Sequence, residues 1–113
     1  MKNDPVIFLD HILQSIKIIE EDTAGFSKEQ FLSRRTIQDA VIRNIEVMGE
    51  AAKNIPDDFR RKYESVPWKE IAGTRDKVIH GYFGVDLNIV WDVIRADLPK
   101  LKKEIKHILE QER

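Results

Sequence analysis

The sequence predicts an all-α fold, with four main helices and one additional short helix arranged as a bundle. Apolar residues recur at three- and four-residue intervals over long stretches, and no stretch alternates as a half-buried strand does. Prolines and glycines separate the periodic stretches and mark where helices end. A chain of 113 residues is long enough to bury its own core, so we expect one domain over residues 1–113.

The first helix is predicted to begin with Asp4 as N-cap and Pro5 at the first helical position, where the missing N–H costs nothing. The apolar residues that follow predict burial on more than one side of the helix. One stripe is formed by Val6, Leu9, Leu13, Ile16 and Ile19, and the residues Ile7, Ile12 and Ile18 widen it. His11 lies among them, and we interpret it as a partly exposed scaffold residue.

The second helix is predicted to be long and to start at a capping box, in which Ser27 and Gln30 satisfy each other's backbone N–H groups and Phe26 packs on Phe31. Its helical period continues through Ile37, Val41, Ile45, Met48, Ala52 and Ile55. Gly49 interrupts this run. Because glycine inside a helix costs about 0.5–1 kcal/mol relative to alanine, we expect another helix to pack closely there.

Three further helices are predicted in the second half of the chain. Pro56 ends the long helix and opens a short one. The next helix is expected from about Trp68 to His80, followed by a turn. Asp86 is the predicted N-cap of the last long helix, which Pro99 should kink or divide.

Composition excludes several classes of site. The chain has no cysteine, so disulfides, zinc–thiolate sites and cysteine nucleophiles are ruled out. Its three histidines are scattered and none is paired four residues from another, so we expect neither a metal nor a cofactor. A net charge of −1 means that a nucleic acid would have to be bound locally. With no long apolar run and no apolar leader, we expect a cytoplasmic protein without membrane contact.

Four side chains suited to phosphate chemistry lie close together in the stretch 68–86: Arg75, Asp76, His80 and Tyr82. Histidine can take a proton from a 2′-hydroxyl or give one to a leaving oxygen, and arginine can stabilise charge on phosphorus. Asp76 can orient His80 or hold Arg75, and Tyr82 can stack on a base or bind a phosphate. RNA supplies its own nucleophile, so this set needs no metal.

The spacing of these residues raises a geometric problem. Arg75 and His80 are five positions apart, which is about 140° around an ideal helix, whereas Arg75 and Tyr82 share a face. Either the helix unwinds at Gly81, or a second copy of the chain completes the site across a two-fold axis, which is our preferred interpretation. Residue types alone favour a third interpretation, an ion-pair network inside a structural bundle.

The sequence RDKVIHGYFGVD (75–86) resembles the signature of the HepT-like proteins, a branch of the HEPN superfamily. Their pattern is arginine, four residues, histidine, one residue and tyrosine, which Arg75, His80 and Tyr82 match. Asp76 supplies the polar residue that typically follows the arginine. Three further blocks, at 38–56, 66–73 and 86–99, resemble the family in the expected order.

This resemblance implies a HEPN-type four-helix bundle that acts as a homodimer, with Arg75 and His80 of both subunits in one cleft. It implies an RNA substrate, cleaved without metal to leave a 2′,3′-cyclic phosphate. It also implies a toxin–antitoxin pair, in which an MntA-like minimal nucleotidyltransferase uses ATP and magnesium to attach AMP to Tyr82. The alternative is a non-catalytic helical partner that binds and regulates such a nucleotidyltransferase.

Overall fold

The computed structural model describes residues 4–79 and 84–113, and within these ranges the chain is an all-α bundle. The helices are α1 (Pro5–Thr23), α2 (Lys28–Leu32), α3 (Arg35–Lys53), α4 (Asp57–Lys62), α5 (Trp68–Ala72), α6 (Thr74–Val78), α7 (Leu87–Asp92) and α8 (Leu98–Glu112), with a π-helical turn at Val93–Asp97. The described ranges contain no helix with the length and apolar character needed to span a bilayer.

The predicted fold class is confirmed, with four helical stretches and a short helix. The stretches are α1, α2 with α3, α5 with α6, and α7 through α8; α4 is the short helix. Helix α1 packs on α3 and α8, and α3 also packs on α5 and α6. Among the described residues, the fully buried centre of the core consists of Leu9, Ile12, Ile16, Ile19, Phe31, Val41, Ala52, Val78, Val90 and Ile105.

Helix α1 begins as predicted and buries more than one side, but one of its isoleucines faces outward. The Asp4 carboxylate accepts the Val6 N–H at 2.9 Å, and Ile12 is fully buried. Ile7, which we expected to widen the buried face, is 41% exposed. It leaves an apolar side chain on the surface near the start of the helix.

The predicted long second helix is divided, which corrects the sequence interpretation. The capping box is present, since the Ser27 N–H donates to Gln30 Oε1 at 2.9 Å and the Gln30 N–H donates to Ser27 Oγ at 3.2 Å. Helix α2 then ends after five residues, and Arg34 leaves the helical region with φ −118° and ψ 87°. The Phe31 carbonyl accepts the Arg34 N–H at 3.2 Å and the Gln38 side-chain amide at 2.9 Å. Phe31 itself is fully buried, with its ring centre 5.4 Å from that of Trp91.

The last helical stretch begins and bends where the sequence predicts. Asp86 Oδ1 accepts the N–H groups of Asn88 and Ile89 at 3.1 and 3.2 Å. Ahead of Pro99 the helix widens into the π turn, in which the Leu98 N–H donates to the Val93 carbonyl. A wider turn fits the proline, because its ring lacks a donor and clashes with the carbonyl four residues earlier in a regular helix.

A polar cluster joins α4 to the end of α8. Glu112 accepts hydrogen bonds from the Lys62 ammonium, at 2.7 Å, and from the Tyr63 hydroxyl. The bond from Lys62, followed by that from Tyr63, holds the pKa of the Glu112 carboxyl below its ordinary value of 4.5. In turn, the hydrogen bond that each donor makes to Glu112 raises the pKa of Lys62 and the pKa of Tyr63.

We expect Glu112→Gln to make stability less dependent on acidic pH. A carboxyl whose pKa is lowered by folding stabilises the protein above its unfolded pKa and loses that contribution as the pH falls through its folded pKa. Between about pH 6 and pH 3, urea unfolding should therefore show a larger loss of free energy for the parent than for the variant. Glu110→Gln, an exposed control, should behave as the parent; equal pH profiles for the parent and Glu112→Gln would contradict the assignment.

Candidate active site

The segment that carries Arg75 is two short helices, and the predicted single helix from Trp68 to His80 is wrong. Gly73 ends α5 with φ −94° and ψ 2°, and α6 ends at Val78. Ile79 is extended, with φ −109° and ψ 120°. The chain therefore leaves the helix before His80, and earlier than the unwinding at Gly81 that we considered.

Gly49 sets the position of this segment on α3. A Cβ atom at Gly49 would lie 3.3 Å from the Ala72 carbonyl oxygen and 3.6 Å from that of Ile71. The predicted close packing at this glycine is thus confirmed, and its neighbour is the end of α5. Since α6 starts two residues after Ala72, the same contact places α6 against α3.

Arg75 is bound by a side chain of α3. Its Nε donates to Glu46 Oε2 at 3.1 Å, and the two side chains are 53% and 45% exposed. One of its Nη groups lies 3.7 Å from Asp76 Oδ1, beyond hydrogen-bonding distance. Glu46 therefore holds the guanidinium by one edge, while the Nη fork, which suits phosphate oxygens, stays at the surface.

Glu46 was not assigned to the site from the sequence. Two other polar residues of α3 make local contacts instead: Asn44 donates to the Ala40 carbonyl at 2.9 Å, and Glu50 pairs with Lys53 at 3.5 Å. Arg75 and Glu46 are 29 residues apart, so no local spacing links them. A half-exposed ion pair also argues against an ion-pair network inside the bundle.

His80 and Tyr82 lie outside the described residues, so their predicted roles stay predictions. The chain on either side of them is held together: Ile79 and Val85 form an antiparallel bridge, and the Asp86 N–H donates to the Val78 carbonyl at 2.7 Å. His80 is the next residue after Ile79, at the end of the segment that carries Arg75. The two angles calculated for an ideal helix no longer apply, because α6 stops at Val78.

Asp76 is 87% exposed. Among the described ion pairs, Arg75 approaches two carboxylates, that of Glu46 and, at a longer distance, that of Asp76. Of the two roles considered for it, holding Arg75 receives partial support from the 3.7 Å approach, whereas orienting His80 concerns a residue outside the described ranges. In residues 4–79 and 84–113, no three acidic or histidine side chains are grouped as a metal site requires.

A shallow groove of about 460 Å³ adjoins the ion pair. Phe8 and His11 of α1 form one wall, and the α3 residues Arg43, Glu46, Val47, Glu50, Ala51 and Asn54 line the rest. His11 is exposed, and its ring meets that of Phe8 edge-on with the ring centres 6.4 Å apart. The groove thus extends from the Arg75 partner towards α1.

A second concavity of about 470 Å³ lies between α3, α5, α6 and α8. Its floor is apolar, and its rim carries Glu70, Lys77, Asp97, Lys100 and Glu104. Although it is the larger of the two, neither Arg75 nor Asp76 lines it. We therefore place the candidate site at Arg75 and Glu46.

Comparison with known proteins identifies a family that matches most of the chain. The family model described as "Ribonuclease HepT-like" matches residues 12–108, which include Glu46, Arg75, His80 and Tyr82. No solved structure matches the chain.

Three relatives illustrate the similarity. A "Probable ribonuclease HepT" of Thermococcus cleftensis is 44% identical over 96% of this chain and 98% of its own. A "Putative RNase" of Caldanaerobacter subterraneus subsp. tengcongensis is 46% identical over 96% of this chain and 97% of its own. A "Gamma-glutamylcyclotransferase and putative RNase" of Methanocaldococcus jannaschii is 51% identical over 98% of this chain, which spans only 50% of that protein.

Proposed function

Since the chain belongs to the HepT-like ribonuclease family, we propose that it is a metal-independent endoribonuclease and the toxin of a toxin–antitoxin pair. The observation that carries the proposal is the half-exposed Arg75, fixed by Glu46 at the end of the segment that leads into His80. Three relatives named as ribonucleases support the substrate class. We propose that residues 1–113 form one domain that acts in the cytoplasm.

In the proposed reaction, the 2′-oxygen of RNA attacks the adjacent phosphorus and the bond to the 5′-oxygen breaks, which leaves a 2′,3′-cyclic phosphate. His80 takes the proton from the 2′-hydroxyl or gives one to the departing 5′-oxygen. The Nη fork of Arg75 stabilises the charge that grows on the phosphoryl oxygens. In a homodimer with a shared cleft, two copies of each residue are present, so one histidine can act as base and the other as acid.

Glu46 is proposed to position Arg75. An exposed ion pair contributes only about 0–1 kcal/mol to stability, so the Glu46 contact has little effect on whether the chain folds. It does restrict a long, flexible side chain to one orientation before RNA binds, and such preorganisation lowers the cost of reaching the transition state.

Control by the antitoxin is proposed to act on the same cleft. An MntA-like nucleotidyltransferase would transfer AMP from ATP to the Tyr82 hydroxyl, with release of pyrophosphate. Each AMP adds a phosphodiester charge and a bulky nucleoside seven positions after Arg75. Both would compete with an RNA phosphate for the guanidinium.

His80→Ala should abolish cleavage of total RNA in EDTA by the folded protein, with a loss of at least about 10²-fold, because general acid–base catalysis contributes that much or more. His107→Ala is the matched control, since His107 is exposed on α8 beside Gln111. Cleavage products should carry cyclic phosphate ends, and a 2′-deoxy substitution at the cut site should block them. Cleavage by the His80 variant would refute the assignment, and no cleavage by any variant would favour a non-catalytic regulatory partner.

Glu46→Ala should lower kcat by about 10-fold or more with a smaller change in KM, because the lost restraint on Arg75 matters most in the transition state. Glu46→Gln should recover much of the rate, since its amide oxygen can still accept the Arg75 Nε–H. Asp39→Asn, an exposed change on the same helix, is the control. Thermal unfolding should be nearly equal in all four proteins; equal kcat values would exclude a positioning role for Glu46.

Incubation with an MntA-like nucleotidyltransferase, ATP and magnesium should increase the intact mass by AMP units and stop RNA cleavage. Tyr82→Phe should take up no AMP on this site. The chain has only two tyrosines, so Tyr63→Phe is a matched control that should be modified as the parent is. Modification of Tyr82→Phe, or unchanged cleavage by fully modified protein, would count against this form of control.

A further inference from the structure

Two exposed arginines lie at one corner of the bundle, Arg34 between α2 and α3 and Arg95 in the π turn. Both contact Phe26. The Arg34 guanidinium lies 5.6 Å from the centre of the Phe26 ring, and one Nη group of Arg95 donates to the Phe26 carbonyl at 3.3 Å. Arg95 also lies over the Trp91 ring, 4.8 Å from its centre. We call Arg34 and Arg95 the arginine pair.

The arginine pair is held in place without being neutralised. Neither guanidinium forms an ion pair with a carboxylate of the described residues. An aromatic ring attracts a guanidinium through its quadrupole, so the full charge and most of the N–H donors stay available to an anion. By contrast, Glu46 balances the formal charge of Arg75. The corner therefore concentrates uncompensated positive charge on a chain whose net charge is −1, and two guanidinium groups suit the oxygens of a phosphate.

The arginine pair lies at the start of the α3 face that carries Glu46. Arg35, Ile42 and Glu46 are seven and four residues apart, so they share one side of this helix. Arg34 comes directly before Arg35. Since Arg35 precedes Glu46 by 11 positions, the arginine pair is about 16 Å from the candidate site along the helix axis.

The surface between these two places is recessed. A shallow concavity of about 340 Å³ follows α3 from Arg35 to Ile42, which is one helical turn before Glu46. Leu32, Val85 and Leu87 give it apolar surface. Such a surface can accept the face of an unstacked base, so a single strand can pass over it between one phosphate site and the next.

We propose that the arginine pair binds a backbone phosphate of the RNA substrate, away from the phosphate that is cleaved. The inference rests on the proposed function, which places the cleaved phosphate at Arg75. A separation of about 16 Å means that the two phosphates belong to one strand but not to adjacent nucleotides. The contact is to the backbone, so it positions the strand and carries no sequence information.

The first test measures binding of a 2′-O-methyl oligonucleotide, which cannot be cleaved because its 2′-oxygen is blocked. Arg34→Gln and Arg95→Gln should each raise the Kd by about 3- to 10-fold at low salt. Each should also lower the slope of log Kd against log salt by about 0.7, because one phosphate contact fewer releases fewer counterions. Fluorescence anisotropy at several salt concentrations supplies both values.

Two sets of variants serve as controls for this measurement. Arg61→Gln removes an exposed arginine of α4 and should leave the Kd and the salt slope as in the parent. Arg34→Lys and Arg95→Lys keep the charge and should keep the salt slope, a result that a purely structural role of these side chains would not produce. Equal Kd values and slopes for the parent and both glutamine variants would overturn the proposal.

The second test compares a dinucleotide with a long RNA as substrates. A dinucleotide has a single phosphate, which must occupy the Arg75 site to be cleaved, so it leaves no phosphate for the arginine pair. On the long RNA, Arg34→Gln and Arg95→Gln should raise KM by about 3- to 10-fold with kcat nearly unchanged. On the dinucleotide, kcat/KM should equal that of the parent. An equal loss on both substrates would overturn the proposal, because the effect would then lie at the cleaved phosphate.

This proposal and the ribonuclease proposal fail separately. Cleavage of total RNA by a parent whose oligonucleotide binding does not depend on Arg34 or Arg95 would overturn only the phosphate site. Binding that depends on both arginines, in a protein that cleaves no RNA, would overturn the ribonuclease and support the phosphate site. A parent that does not bind the oligonucleotide would overturn the phosphate site whether or not it cleaves RNA.

Discussion

The close approach of α3 to the end of α5 at Gly49 is the contact on which the candidate site depends. Any side chain at this position would meet the Ala72 carbonyl, which lies 3.3 Å from where a Cβ atom would be. With hydrogen there instead, the two backbones come together and α6 starts directly beside α3. Glu46 lies one turn before Gly49, so it is within reach of Arg75. A glycine that weakens α3 locally therefore aligns Arg75, the proposed phosphate-stabilising residue, with its ion-pair partner.

Helix interruptions show where the hydrophobic periodicity of the sequence predicts the helix boundaries correctly and where it does not. Pro99 lacks an N–H, and its effect on the last helix could be predicted; the π turn at Val93–Asp97 is the form that the effect takes. The break at Ser33 and Arg34 could not be predicted, because neither residue strongly disfavours a helix. Phe31, just before the break, packs on Trp91, which is 60 residues away, so local spacing does not indicate this contact. Gly73 was a local signal for a helix end, and the prediction of one helix through it overlooked that signal.

The candidate site shows the same division between local and long-range information. Arg75 and Asp76 could be selected because their side chains suit phosphate chemistry and because a family signature surrounds them. Glu46 could not be selected from the sequence. It is one acidic residue among several on a polar helix face, and the local sequence does not indicate that its ion-pair partner is Arg75. Only the packing of α6 on α3 shows that it reaches Arg75 at 3.1 Å. Residue types thus indicate the chemistry, whereas the tertiary contact shows how the arginine is held.

Charge explains why the site should be local and why a modification there can control it. The chain has 19 basic and 20 acidic residues, so its overall field does not attract RNA. Affinity for a phosphate must come from a few groups, and in the proposed dimer two Arg75 side chains supply it. Each is already paired with a Glu46 carboxylate, so the formal charge of each Arg75–Glu46 pair is zero. One AMP on each Tyr82 would add one negative charge per subunit and make the formal charge of the proposed cleft negative. A cleft without excess positive charge can be switched off by a single charged group per subunit, whereas a strongly basic surface could not.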